Sequence, residues 1–187
     1  MGMNWLFLKP LNVCFEGEIM WSADVLLVID MQNGICRRGV ADSLDLSNLM
    51  QRINTRVQSY HALDKPIIWI QHHDDDIRRH TFDWDFLPEL MLNRTTDDII
   101  EKNLPDSFYN TCLDARLQQV GAQHLEICGA QVEFCVDTTI KAAFDREYQL
   151  HMLPNMTTTW DNEYMNAKQT QKFYEKIWQN TFVSGLA

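Results

Sequence analysis

The stretch HLEICGAQVEFCVDTTIKAAFDR, residues 124–146, decides the fold. His124–Cys128 is a short, largely apolar run with Gly121 on its left, and Gly129-Ala130 is small enough for a sharp backbone turn. From Cys135 on, Val136, Ile140, Ala143 and Phe144 recur at helical spacing, while Asp137, Lys141 and Asp145 share another face. The stretch reads as a strand, a tight turn and a helix that starts at a cysteine. A cysteine in a first helical turn faces unpaired N–H groups and the positive end of the helix dipole, and both favour thiolate over thiol. Two readings of Cys135 stand at this point: a nucleophilic sulfur, or an inert thiol packed behind the helix.

Further strands lie on either side. Val25–Ile29 is a continuous apolar run ending at Asp30, the pattern of a strand covered on both faces in a parallel sheet. Asp30-Met31-Gln32-Asn33-Gly34 is the turn that leaves it. Ser47–His61 carries Leu49, Ile53 and Val57 at helical spacing. Lys65-Pro66 punctuates, and Ile67–Ile70 is a second apolar strand. Gln71–Thr95 is long, polar and aromatic, a loop of a length that is usually functional or disordered; its Phe82, Trp84 and Phe86 favour order. Asp98–Lys102 reads as a third strand, closed by Pro105, and Thr111 to Gly121 as a helix. Tyr148–Leu153 is a fifth strand stopped by Pro154, Asp161–Gln179 a last helix, and Thr181–Val183 a short final strand. The alternation predicts an α/β fold of three layers, α/β/α, around a central, mostly parallel six-stranded Rossmann-like sheet. Residues 1–20 show no periodicity and read as an N-terminal extension to a domain over residues 21–187.

The chain has 187 residues, a length that suits one domain with a full core. Its net charge of -10 argues against nucleic acid or an anionic membrane as a partner, because both need basic patches. No run approaches the ~20 apolar residues of a membrane span. The five cysteines (Cys14, Cys36, Cys112, Cys128 and Cys135) include no CxxC pair and no zinc spacing, which points to free thiols in a reducing cytoplasm.

In a parallel sheet, ligands bind beyond the carboxyl ends of the strands. Asp30, Lys102 and Cys135 occupy those ends. An acid, an amine and a thiol brought to one rim are a coherent set for nucleophilic catalysis.

From about Met20 to the C-terminus the sequence resembles the isochorismatase-like cysteine hydrolases. The resemblance rests on Val28-Ile29-Asp30-Met31-Gln32-Asn33-Gly34, on Trp84–Leu90, on Lys102 to Thr111, and on Gly129–Thr139, in that order. It implies a catalytic triad of Asp30, Lys102 and Cys135. It also implies a non-proline cis peptide between Ala130 and Gln131, which aims the Gln131 N–H at the same point as that of Cys135 to form an oxyanion hole. In that reading Cys135 attacks the carbonyl of a small-molecule C–N bond (amide, ureide or carbamoyl), Asp30 shuttles the proton, and Lys102 orients Asp30. Gln32, Trp84, Phe108, Glu133 and Phe134 are the expected pocket residues, with Phe82, Tyr109 and Trp160 as further aromatic candidates.

Nicotinamidases of the family bind a divalent metal through Asp-x-His and a further His. Gln71-His72-His73-Asp74 lacks that spacing, so the expectation is no metal and no cofactor, and a solvated polar loop around His72. The expected partner is a small molecule, with self-association into a homo-oligomer as the resemblance implies. Where many members have Gly before the tyrosine of the fifth strand, this chain has Glu147, and it has Asn155-Met156 where many have Asp-Ala. Competing readings are a catalytically idle assembly module, an isochorismatase cleaving a vinyl ether, and a thiol redox protein. The intact triad, the presence of Cys135 and the lack of a neighbouring cysteine in sequence speak against them in turn.

Overall fold

The computed structural model describes residues 12–15, 18–21, 23–39 and 41–186. In chain order the elements are β1 (Asn12–Phe15), β2 (Glu18–Trp21), β3 (Val25–Ile29), α1 (Asn33–Cys36), β4 (Arg37–Arg38), β5 (Ala41–Asp42), α2 (Leu46–Ala62) and β6 (Ile67–His72). There follow β7 (Asp98–Lys102), α3 (Leu113–Gln119), β8 (His124–Ala130), a π-helical turn (Val132–Val136) and α4 (Asp137–Asp145). The chain closes with β9 (Gln149–His151), β10 (Thr157–Thr158), α5 (Ala167–Thr181) and β11 (Val183–Ser184).

The central sheet runs β11-β9-β8-β3-β6-β7, with β10 beside the end of β8, and every pairing in it is parallel. It therefore has seven strands rather than the expected six. The extra one, Thr157–Thr158, is too short to show an apolar period of its own. β1 and β2 pair antiparallel as a separate hairpin, so the expected N-terminal extension is described only in those residues, and the rest of it lies outside the described ones.

The core explains the order. All five residues of β3 are fully buried, as are Ile68, Trp69 and Ile70 of β6. Strands buried on both faces belong in the middle of a helix-covered sheet. From β3 the chain moves one way to β6 and β7, then returns to the other side of β3 for β8, β9 and β11. With right-handed crossovers that reversal puts α2 on one face and α4 on the other. It also opens a switch point between β3 and β8, where open α/β sheets bind ligands.

At that point the two strands nearly touch. Gly129 has φ +128°, and a Cβ there would land on the Ile29 carbonyl oxygen. Only glycine meets both demands. Beneath α2, Arg56 and Glu126 form a buried bidentate pair (2.6 and 2.7 Å), and Tyr60 donates to the same carboxylate at 2.9 Å.

Several element ends differ from the sequence reading, each for a local reason. The last helix starts at Ala167 rather than Asp161, because Asn166 closes a capping box with Gln169, while Asp161 and Asn162 accept N–H bonds in turns before it. The helix after Thr111 starts at Leu113, since the Thr111 hydroxyl donates to the Ser107 carbonyl at 2.6 Å. β6 runs two residues past its apolar run, to His72.

Candidate active site

The motif Asp30–Gly34 positions both a carboxylate and a loop. Asp30 follows β3 in a left-handed conformation (φ 49°) and is fully buried, with its N–H donating to Ile70 O at 3.0 Å. Aspartate is among the few residues that take up that conformation readily. Gln32 then clasps His72 by both backbone groups: its Oε1 accepts from His72 N at 2.7 Å and its Nε2 donates to His72 O at 2.9 Å. The same Nε2 donates to Trp84 O at 2.8 Å, and Asn33 Nδ2 donates to Phe82 O at 3.0 Å. Gly34 lies so near Asp83 and Ile77 that a Cβ would sit 2.7 and 2.5 Å from their side chains. The long segment after β6 is thus ordered by its bonds to this turn.

Lys102 ends β7 with its side chain fully buried, directly across from His72 in the sheet register. Its ammonium donates to Asp30 Oδ2 at 2.7 Å and to Cys135 Sγ at 3.1 Å, and lies 3.5 Å from His72 Nδ1. Asp30, His72 and Cys135 each contribute a potential ligand atom, all within 4.8 Å of one another. Sequence order spreads these four residues over more than a hundred positions; the sheet brings them to one rim.

Cys135 does not start its helix. The first turn begins at Val132 and is π-helical, with Gln131 O accepting from both Phe134 N and Val136 N at 3.2 Å, and the α-helix proper starts at Asp137. The peptide between Ala130 and Gln131 is cis. The surroundings of the sulfur oppose its ionisation. Burial first, and then the Asp30 carboxylate beside it, push the thiol up to about 12, with the Lys102 ammonium pulling the other way. The lysine is held above its ordinary value by Asp30 and Cys135 against the cost of its burial. Asp30 Oδ1, on the side not held by Lys102, has no hydrogen-bond partner.

The group does not fit a resident metal. The three atoms that would ligate one already surround the Lys102 ammonium, which fills the place of a cation.

The other expected residues divide. Trp84 and Glu133 are half-buried, and Glu133 accepts from the Thr159 hydroxyl. Phe134 is open at 54% exposure. Phe82 and Tyr109 are exposed, and Trp160 donates to Ile35 O at 2.9 Å with Arg38 over its ring. Two further expected pocket residues lie deeper. Gln32 is fully buried with its amide committed to backbone groups, and Phe108 is buried against Tyr148 and Arg146. The loop after β6 is exposed from Asp74 to Asp76, as a solvated polar loop is, while the His72 imidazole at its start faces the Lys102 ammonium. The signal that would have found it is its register opposite Lys102, which needs the strand pairing to be visible. Cys36, beside the turn, is fully buried, and burial pushes its thiol well above the ordinary range.

A family model described as the Isochorismatase domain matches residues 24–174. The uncharacterized isochorismatase family protein YddQ of Bacillus subtilis is 25% identical over 138 residues, covering 72% of this chain and 77% of YddQ. Nicotinamidase 3 of Arabidopsis thaliana is 23% identical, covering 76% of each. The ureidoacrylate amidohydrolase RutB of Methylorubrum extorquens is 24% identical, covering 75% of this chain and 70% of RutB. Among solved structures, an isochorismatase family protein superposes with TM-score 0.83 at 34% identity, covering 87% of this chain and 97% of that one.

Proposed function

The chain belongs to the isochorismatase family, and on that premise we propose that it is a cysteine hydrolase that cleaves a C–N bond of a small amide, ureide or carbamoyl compound. The observation that carries the reading is the buried Lys102 ammonium bridging the Asp30 carboxylate and the Cys135 sulfur at 2.7 and 3.1 Å. The amidohydrolase activities in the names of two relatives support it.

The Cys135 thiol needs a base, because its proton does not leave by itself near neutral pH. Asp30 supplies one, with a free carboxylate oxygen in the same pocket. As Asp30 takes the proton, the sulfur attacks the carbonyl carbon and a tetrahedral oxyanion forms. The N–H groups of Gln131 and Cys135 are the proposed donors to it, and losing one such donor costs ~3–4 kcal/mol in comparable sites. Asp30 passes the proton to the departing nitrogen, the C–N bond breaks, and a thioester remains on Cys135. Water then attacks the thioester with Asp30 as base, releasing the acid and restoring the thiol. Lys102 stays protonated throughout, neutralising Asp30 and steadying the sulfur as charge develops on it. Trp84, Glu133 and Phe134 are the proposed substrate contacts. The reading includes a cytoplasmic homo-oligomer, which light scattering on the purified protein tests.

The deciding experiment is a hydrolysis screen of amides, ureides and carbamoyl compounds, followed by Cys135→Ala and Asp30→Asn on the best substrate. Both variants lose turnover. Full activity in either rejects the mechanism.

A further inference from the structure

His72 stands beside the triad but is no part of it. Its position follows from strand pairing: β6 extends to His72 and β7 to Lys102, and the two residues face each other in register. An ammonium carries three protons and no lone pair, so any group facing it must accept. His72 Nδ1, 3.5 Å from Lys102 Nζ, therefore presents its lone pair, and Nε2 carries the ring proton. That proton has a matching acceptor, Asp74 Oδ2, at 2.9 Å. Asp74 is in turn fixed through Oδ1, which accepts from Asp76 N at 2.9 Å and Ile77 N at 2.7 Å. The backbone of His72 is gripped by Gln32 on both sides.

All three ammonium protons of Lys102 then have acceptors: Asp30, Cys135 and His72. The bond to Cε and two acceptors aim the third N–H at His72. An acceptor there, on a side chain locked by its own partner, holds it in that direction. We propose that His72, oriented by Asp74, is a positioning residue that holds the Lys102 ammonium against Cys135 and Asp30 during the reaction. The inference rests on the cysteine-hydrolase reading for its kinetic part and on geometry alone for the rest. It also links chemistry to the long loop, because Asp74 belongs to that loop and the ammonium to the sheet.

The test uses the full chain with three variants, His72→Phe, His72→Asn and Asp74→Asn. Two quantities are read: kcat and KM on the best substrate of the screen, and the pH profile of Cys135 alkylation by iodoacetamide, followed by mass spectrometry. His72→Phe removes the acceptor and keeps a ring. It is expected to lower kcat on the order of 10²-fold with KM little changed, since misplacement of a reacting group by about 1 Å has that effect. It also slows Cys135 alkylation about 10-fold at a fixed pH below the midpoint, because an ammonium that swings away stabilises the thiolate less. His72→Asn places an oxygen near the position of Nδ1 and restores most of both. Asp74→Asn, which leaves the ring in place, gives a smaller loss with the same signs.

Wild-type kcat and an unmoved alkylation profile in His72→Phe overturn the inference. So does His72→Asn impaired as deeply as His72→Phe with an intact melting transition. If His72→Phe does not fold, Asp74→Asn decides by the same two readouts. If Cys135→Ala stays active, the hydrolase reading fails, whereas the alkylation profile still judges the placement of the ammonium by itself.

Discussion

Replacing Asp30 by Asn should make Cys135 more reactive toward an alkylating agent while abolishing hydrolysis. The carboxylate and the sulfur lie within 4.8 Å of each other in a buried site. Two unit charges at that separation interact by about 3.5 kcal/mol at an effective dielectric of about 20. At 1.36 kcal/mol per unit, this is about 2.5 pKa units. The thiol, pushed up in the intact site by burial and by Asp30, should fall by that order in Asp30→Asn, with the Lys102 ammonium left to favour the thiolate. The assay is the rate of iodoacetamide labelling at Cys135 against pH, read by mass spectrometry of the Cys135 peptide. Lys102→Gln moves the midpoint the other way, because it removes the group that lowers the thiol. A midpoint in Asp30→Asn equal to or above that of the wild type would refute the electrostatic account. So would a wild-type midpoint well below pH 8, which is what a thiolate poised by a helix dipole alone would give.

Other perturbations test the scaffold. Glu147 takes a left-handed conformation (φ 67°) just past α4, with its N–H on Phe144 O and the next N–H on Ala143 O. This is the helix-ending geometry that favours glycine, so Glu147→Gly should stabilise the fold by about 1 kcal/mol, read as a higher urea midpoint with an unchanged slope. Glu126→Gln takes the counter-charge from buried Arg56 and should cost roughly 3–5 kcal/mol in the same titration. Gln32→Leu strips the partners from the His72 backbone N–H and carbonyl and removes one of the two donors to Trp84 O, a loss of roughly 2–6 kcal/mol at about 1–3 for each of the two stranded groups. It should also speed trypsin cleavage at Arg78, Arg79 and Arg94, and an unchanged digest would show that the loop does not depend on this clasp.

Much of the sheet was legible because its strands are buried on both faces. Val25–Ile29 and Ile67–Ile70 carry no polar residue, and nothing but a central parallel strand explains such runs at that length. The convergence of Asp30, Lys102 and Cys135 followed from their places at strand ends. What stayed hidden depends on pairing. Register makes His72 a neighbour of Lys102, and no spacing in the sequence reports it. What surrounds the Cys135 proton stayed hidden for a related reason. Position in a helix suggests thiolate, but burial of the sulfur opposes it first, and then the Asp30 carboxylate, which comes from the end of a strand a hundred residues away. The partners of Gln32 and Phe108 were equally out of sight: the Gln32 amide is bonded to the His72 backbone, and the Phe108 ring lies against Tyr148 and Arg146. A glycine at position 147, which the resemblance implies, has a reason in this fold, since the backbone there is left-handed even with a glutamate.

The turn after β3 carries two duties in five residues: Asp30 faces the sulfur, while Gln32, Asn33 and Gly34 moor the segment between β6 and β7. Grafting that segment from another member of the family to alter substrate choice would cut its moorings and disturb the carboxylate with them. A transplant that carries its own version of residues 31–34 keeps both, so the natural unit of exchange in this scaffold is a loop together with its distant anchor.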